Sequence, residues 1–164
     1  MPAPSTAGFP EIMQKRQSKK NGRRMAPAAP RARASRRAPM RVDDPAVMAE
    51  VAEAVEAYER ALVGNDLGAL GQWFWHDPRT LRYGAGENLV GYAEIEAFRA
   101  ARPAAGLARE VLSRHITTFG SAFATASQTF RRDGEARVGR QTQTWVRQAQ
   151  GWRVVAAHVS WMDR

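Results

Sequence analysis

Apolar residues first become periodic after the aspartates at positions 43 and 44. From there they recur at steps of three and four residues: Val47, Val51, Ala54, Val55, Tyr58 and Leu62. This spacing predicts an amphipathic helix that one of the two aspartates caps, that begins with Pro45, and that ends at Gly64 and Asn65. Tyr58 lies on the apolar stripe, so it is either a core aromatic with a hydrogen-bonded hydroxyl or a catalytic acid.

Two shorter helices and one short strand are predicted before residue 106. Asp66 can cap a second helix that runs through residue 74, and a third helix fits residues 92–102, before Pro103. Between them, residues 80–83 alternate like a strand, and glycines at 84, 86 and 91 indicate a tight loop. This loop lies outside any βαβ unit, so we interpret it as a turn and not as a dinucleotide site.

Four long runs after Gly106 alternate between apolar and polar residues. They cover residues 107–119, 122–132, 136–147 and 152–161, and Asp133-Gly134 between the second and third predicts a hairpin. No helical pattern separates one strand from the next, so the strands should pair mostly antiparallel. The predicted fold class is α+β, with three N-terminal helices packed on one face of a curved sheet.

Charge divides the chain at about residue 41. Of its 164 residues, positions 1–41 hold 11 basic residues and one acidic residue, whereas positions 42–164 hold 14 basic and 15 acidic residues. We predict a disordered basic extension over 1–41 and a domain over 42–164. The extension is a basic arm, a targeting peptide, or an inert or wrongly assigned segment before a start at Met40, and we favour the last. The neutral domain argues against a nucleic-acid partner.

Missing residue types exclude several kinds of chemistry. The chain has no Cys, which excludes disulfides, thiolate catalysis and Cys-bound zinc. All three Lys lie within the first 20 residues, which excludes a lysine nucleophile or a phosphate-binding P-loop in the domain. The three histidines show no metal-ligand spacing. We expect no metal, no cofactor and, with no apolar run near the length of a membrane-spanning helix, a cytoplasmic protein without a membrane partner.

Arg82 is the first candidate site residue. It alternates with Leu81 and Tyr83 on a short strand that nearby tryptophans should largely cover. A guanidinium presents a planar fork that fits a carboxylate, so a covered Arg82 indicates recognition of a small anion. The alternative is an internal ion pair with Glu87 or with a helix carboxylate.

The third long strand carries polar side chains on both faces. Alternation places Gln141, Gln143 and Trp145 on one face. It places Arg140, Thr142 and Thr144 on the other face. One face can line a polar cavity while the other forms a surface for a two-fold partner; the alternative is that one face is solvent-exposed.

The last strand adds two candidates. By simple alternation, His158 and Ser160 share a face with Val154 and Ala156. We expect this face to reach the same cavity.

Five longer segments together resemble one known family. Residues 58–62, 74–84, 95–99, 139–145 and 151–160 read YERAL, FWHDPRTLRYG, IEAFR, GRQTQTW and GWRVVAAHVS. Over about residues 42–162 the chain resembles the AtzH-like family. That family includes the HpxZ-type oxalurate-catabolism proteins and belongs to the NTF2-like cone folds.

The resemblance implies a conical α+β fold, a homodimer through the sheet, and a cavity between the helices and the sheet. It also implies a small planar substrate with amides and carboxylates, as in cyanuric-acid or oxalurate breakdown. Within this cavity we predict Tyr58 and Arg82 as the catalytic pair. The predicted substrate-binding residues are Trp75, Arg99, Gln141, Gln143, His158 and Ser160.

Another NTF2-like protein, ketosteroid isomerase, offers a contrast in chemistry. It has a hydrogen-bonding tyrosine on its first helix and an aspartate base on the strand after the second. Tyr58 matches the tyrosine, but Arg82 stands 24 residues later, where the base would be. We therefore favour a cofactor-free amidohydrolase in which Arg82 binds a carboxylate or an oxyanion and Tyr58 donates a hydrogen bond or a proton. The alternative is a non-catalytic ligand-binding protein or an accessory protein of a neighbouring amidase.

The charge boundary generates a testable prediction. A chain that starts at Met40 should fold with the same thermal midpoint as the full chain, because the removed segment has too few apolar residues to pack. Calorimetry of the two chains measures this. A drop in midpoint larger than roughly 4 °C, which corresponds to about 1 kcal/mol in a small domain, would show that the extension packs on the domain.

Overall fold

A computed structural model describes residues 39–163, so the predicted extension lies outside the described residues up to position 38. Its three helices are α1 (Pro45–Val63), α2 (Leu67–Trp73) and α3 (Tyr92–Ala101). The side chain of Asp44 accepts a hydrogen bond from the Ala46 amide at 3.0 Å. Asp66 caps α2 in the same way, through the Ala69 amide at 2.9 Å. All three predicted helices are confirmed, and Asp44 is the residue that caps the first.

The sheet contains six strands. They are β1 (Leu81–Tyr83), β2 (Asn88–Val90), β3 (Arg109–Phe119), β4 (Phe123–Arg132), β5 (Val138–Gln148) and β6 (Gly151–Met162). Their order across the sheet is β2-β1-β6-β5-β4-β3. All neighbours pair antiparallel except β1 and β6, which are parallel. The α+β fold class is confirmed.

The β1–β2 hairpin brings Arg82 next to the last strand. Arg82 pairs with Leu89 of β2 on one side and with Ala157 of β6 on the other. The sequence pattern predicted β1 but not β2, because a three-residue strand among the glycines at 84, 86 and 91 shows too few alternations to be recognised.

Aromatic side chains hold α1 against the inner face of the sheet. The Tyr58 ring lies 6.1 Å from Phe74 and 6.2 Å from Trp145, measured between ring centroids. Phe74 and Trp145 are completely buried. Tyr58 is therefore a core aromatic, whatever else its hydroxyl does.

The two faces of β5 are as predicted. Gln141, Gln143 and Trp145 are buried, whereas Arg140 and Thr142 are exposed on the outer face. The homodimer expected through this outer face stays a prediction.

A β-bulge in β6 overturns one expectation. Trp145 pairs with Val154 while the neighbouring Thr144 pairs with Ala156, so Val155 is an extra residue in β6. The bulge reverses the alternation, so Val154 and Ala157 are both buried. The expectation that His158 shares the inner face with Val154 is therefore wrong.

Ser160 follows His158 to the outer face. The two residues pair with the outward-facing Arg140 and Thr142 of β5. His158 is exposed there. The expectation that these two side chains reach the cavity fails because a single-residue bulge leaves no signature in apolar alternation.

Residues 41–43 attach the start of α1 to the end of β3. Asp43 donates its amide to the Thr118 carbonyl at 3.1 Å and accepts the Thr118 amide at 2.9 Å through its carboxylate. The Gly120 amide donates to the Arg41 carbonyl at 2.7 Å.

Within the described residues, no helix has the length and apolar character to cross a membrane.

Gly139 in the sheet is predicted to be important for the stability of the domain. Gly139 of β5 pairs with the fully buried Phe130 of β4, and a Cβ at position 139 would overlap the Phe130 ring. Gly139→Ala should therefore destabilise the domain by about 1–3 kcal/mol. Urea unfolding measures this. Gly86→Ala is the matched control, because a Cβ at position 86 meets no atom within 4 Å; equal stability of the two variants would contradict the prediction.

Candidate active site

A small cavity lies between α1, α3 and the inner face of the sheet. Its volume is about 30 Å³, which is room for one or two water molecules. Tyr58 of α1 and Gln141 of β5 contribute to its wall. The other polar lining residues are five arginines: Arg82, Arg99, Arg102, Arg109 and Arg132.

Two of the five arginines have a carboxylate partner. Arg109 donates from two nitrogens to the two Glu59 oxygens, each at 2.6 Å, and its side chain is only 2% exposed. Arg109 also donates to the Gln141 amide oxygen at 3.0 Å. Arg82 forms an ion pair with Glu87, which was the alternative reading of Arg82 from sequence. These two pairs leave three positive charges uncompensated at the cavity.

The remaining three arginines have only neutral polar contacts or none. Arg99 donates to the Leu70 carbonyl at 3.1 Å, and Arg102 donates to the Asn65 side-chain oxygen at 3.3 Å. Among the described residues, no salt bridge reaches Arg99, Arg102 or Arg132.

Several buried donors of these three arginines point at no acceptor. They are Arg99 Nε and Nη2, Arg102 Nε and Arg132 Nε. A buried N–H without a partner costs free energy, and more so on a charged group. The three residues that carry these donors all line the cavity, and the oxygens of an anion are suitable acceptors for guanidinium N–H groups.

Burial and mutual repulsion act together on these guanidiniums. Burial, followed by the charge of Arg99, lowers the pKa of Arg102 from its ordinary value. Burial, followed by the charge of Arg109, lowers the pKa of Arg132 in the same direction. A bound anion would remove this repulsion, so the cavity is electrostatically prepared for a negatively charged ligand.

Tyr58 and Arg99 form the part of the cavity wall where a hydroxyl meets a guanidinium. Tyr58 is 4% exposed. Burial lowers the pKa of Arg99, and the neighbouring Tyr58 side chain opposes that shift. The Arg99 guanidinium also stacks on the Phe74 ring at 4.3 Å. The Tyr58 side chain therefore lies beside a positive charge.

The predicted site residues separate into two groups. The structure brings Tyr58, Arg82, Arg99 and Gln141 to one cavity. Gln143 is buried on the same face of β5, and its amide nitrogen has no hydrogen-bond partner, but it does not line the cavity.

Trp75 lies elsewhere. It lines a separate surface cavity of about 370 Å³ together with Gln148, Gln150 and Arg153. The guanidinium of Arg79 covers its ring at 4.7 Å. Trp75 does not line the cavity that holds the five arginines, so the placement expected from sequence is wrong.

Sequence reasoning missed three of the five arginines and Glu59. Arg109 and Arg132 begin β3 and end β4, and they pair directly across the two strands. Like charges at paired positions destabilise a sheet, so two arginines there are a signal for a shared anion. This signal can be recognised only when the pairing register of β3 and β4 is known.

Within residues 39–163, no group of three or more acidic or histidine side chains is placed to hold a metal ion.

The fold is that of NTF2-like proteins. An NTF2-like protein of unknown function from Pseudomonas putida is 18% identical, with a TM-score of 0.61 over 71% of this chain and 87% of that chain. An NTF2-like superfamily protein from Salmonella enterica is 20% identical, with a TM-score of 0.60 over 73% and 93%. At such identities the likeness concerns the fold alone.

The chain belongs to the AtzH-like family, which it matches over residues 40–164. A DUF3225-family protein of unknown function from Pectobacterium atrosepticum is 54% identical, with a TM-score of 0.73 over 74% of this chain and 95% of that chain. A cystatin-like fold protein from Burkholderia xenovorans is 43% identical, with a TM-score of 0.73 over 76% and 98%. No functionally curated protein matches the chain. The family is therefore established, and the activity has to be argued from the site.

The Glu59–Arg109 pair generates a pH-dependent prediction. Burial alone would raise the pKa of Glu59, but hydrogen bonds and charge from Arg109, with the Gln128 amide, bring it below its ordinary 4.5. Glu59→Gln should lower the free energy of unfolding at pH 7 by about 3 kcal/mol, because it leaves Arg109 without its counter-charge. A group with a lowered folded-state pKa stabilises above its unfolded pKa and loses this effect as the pH falls through the folded value. The difference between parent and variant should thus shrink below pH 4.5.

Urea unfolding between pH 7 and pH 3 measures this effect. Glu56→Gln is the control, since Glu56 is 59% exposed and lies 3.7 Å from Arg114. A Glu59→Gln difference that is constant over this pH range would contradict the ion-pair interpretation.

Proposed function

We propose that the chain is a cofactor-free amidohydrolase that acts on a small carboxylated urea, biuret or oxalurate-type compound. The observation that carries this proposal is that Tyr58 lines a small cavity together with three arginines that have no carboxylate partner. The arginines supply recognition of an anionic substrate, and the hydroxyl supplies a proton donor.

The charge at the cavity favours substrates with more than one carboxylate. Five arginines face two carboxylates, so a ligand with a single negative charge leaves most of the excess uncompensated. Planar carboxylates fit the guanidinium fork in a two-point contact, which a lysine ammonium does not provide. Among the compounds of this class, we therefore propose that a dicarboxylated urea binds more tightly than carboxybiuret or oxalurate.

The proposed reaction uses water as the nucleophile. The water oxygen adds to the carbonyl carbon, and negative charge develops on the carbonyl oxygen, where a guanidinium of Arg82 or Arg99 stabilises it. The C–N bond then breaks, and the nitrogen leaves with the proton that the Tyr58 hydroxyl donates. A proton from the added water restores the hydroxyl. The products are the acid and the amine fragment, so the atoms balance without an oxidant or a cofactor.

A second candidate function is that of an accessory, non-catalytic ligand-binding protein for an amidase. One observation favours it: in the described part of the chain, both carboxylates next to the cavity, Glu59 and Glu87, are held in ion pairs. The three histidines are all exposed and do not line the cavity. A general base for the water is therefore not evident from side-chain geometry.

Tyr58→Phe separates the hydrolase from the ligand-binding protein. It removes one hydroxyl and keeps the ring that packs on Phe74 and Trp145, so the protein should stay folded. Turnover should fall roughly 100-fold or more, the usual range for losing an acid or base group. Release of amine or ammonia from dicarboxylated urea, carboxybiuret and oxalurate measures this. Tyr92→Phe is the matched control, because the Tyr92 hydroxyl donates to Glu96 and lies outside the cavity.

Arg82→Lys tests the other half of the pair. The variant keeps the positive charge but loses the planar two-point contact, so turnover should fall by far more than the stability of the domain. Arg137→Lys, at an exposed ion pair with Glu135, serves as the control. If Tyr58→Phe retains full turnover, the hydroxyl has only a core role. If the parent binds these compounds without turnover and Arg82→Lys abolishes that binding, the accessory function replaces the hydrolase.

A further inference from the structure

We infer that Glu87 is an internal competitor for the Arg82 guanidinium, which an anionic ligand must displace, and that it thereby sets the anion selectivity of the site. The Arg82–Glu87 ion pair places a protein carboxylate where a substrate carboxylate would sit on the same guanidinium. The inference rests on the anion-binding part of the proposed function and not on turnover.

In the turn between β1 and β2, the Glu87 side chain folds back against Gly84 and Gly86. The Gly84 amide donates to the Glu87 carbonyl at 2.7 Å, and the Gly86 amide donates to the Glu87 carboxylate at 3.3 Å. A Cβ at position 84 would overlap that carboxylate. Neither glycine has a positive φ, so Gly84 is needed for space and not for an unusual backbone conformation.

Glu87 is the carboxylate at the cavity that is easiest to move. Glu59 accepts two hydrogen bonds from Arg109 and one from Gln128, and its position on α1 is fixed by the helix. Glu87 is 22% exposed and lies in a turn between two three-residue strands at the edge of the sheet. Arg82 and Glu87 are 14% and 22% exposed, so their ion pair is less buried than the Arg109–Glu59 pair, and a ligand carboxylate replaces Glu87 more easily than Glu59.

The size of the cavity requires that something moves. About 30 Å³ holds one or two water molecules but not a molecule with two carboxylates. Turning the Glu87 side chain outward frees the Arg82 guanidinium without breaking a helix or a long strand. A ligand that contacts only the three unpaired arginines leaves the Arg82–Glu87 pair intact, whereas a ligand whose second carboxylate binds Arg82 must replace Glu87. Glu87 therefore weakens the binding of the second carboxylate.

Two independent variants test the inference with malonate as the probe, by titration calorimetry on the full chain. Glu87→Gln removes the competing charge. Gly84→Ala leaves Glu87 in place but excludes its carboxylate from the folded-back position. Both should bind malonate about threefold or more tightly, the range expected for releasing one partly exposed ion pair. In an Arg82→Gln background, Glu87→Gln should give no gain, because the cation for which Glu87 and malonate compete is absent.

Two controls match these changes. Gly86→Ala alters the same turn where a Cβ meets no atom, and Glu135→Gln removes a turn glutamate that pairs with Arg137 away from the cavity. Both should bind malonate like the parent. Unchanged or weaker binding in Glu87→Gln and Gly84→Ala overturns the inference, as does a parent that binds no malonate. Tighter binding in both variants of a protein without turnover supports the inference while removing the hydrolase proposal.

Discussion

Five guanidiniums around one small cavity, with two carboxylates to neutralise them, impose the strongest constraint on this fold. Each positive charge loses hydration on burial, and like charges in a low-dielectric interior repel one another. The domain therefore folds only if the rest of the structure offsets a cost that a hydrophobic cavity would not have. Buried charges of this kind cluster at functional sites. The free-energy cost of burying the five guanidiniums therefore supports the proposed binding of an anion.

Aromatic rings provide part of the compensation. Arg99 lies over Phe74 at 4.3 Å, Arg109 over Phe130 at 4.2 Å and Arg82 over Phe98 at 5.0 Å. The negative face of an aromatic ring attracts a cation without supplying an acceptor, so it stabilises the guanidinium while leaving its N–H groups free for a ligand. A lysine ammonium could not combine stacking with a planar fork, and residues 42–164 contain no lysine. The choice of arginine at positions 82, 99 and 109 follows from both requirements.

The elements that sequence reasoning predicted well are those with a local physical signal. Asp44 and Asp66 are the N-cap residues of α1 and α2, and both helix starts were predicted. The alternation of β5 correctly places Gln141 on the inner face. The site was only partly predictable because its geometry depends on two non-local features. The bulge at Val155 moves His158 outward, and it becomes visible only once β5 and β6 are paired. The convergence of arginines from four different elements likewise depends on register, so Arg82 and Arg99 were recognised while the partners from β3 and β4 were not.

The first helix couples the hydroxyl to the charged end of the cavity. Tyr58 and Glu59 are consecutive on α1, so their side chains diverge by about 100° around the helix axis. The Tyr58 ring therefore packs in the core, while the Glu59 carboxylate forms an ion pair with Arg109. A rotation or tilt of α1 would move the Tyr58 hydroxyl and the Arg109 guanidinium together. Contacts far from the cavity oppose such motion: Asp43 is paired to β3, and Glu50 accepts from the Trp152 indole at 3.2 Å. Residues that never touch a ligand thus hold the two halves of the site in register.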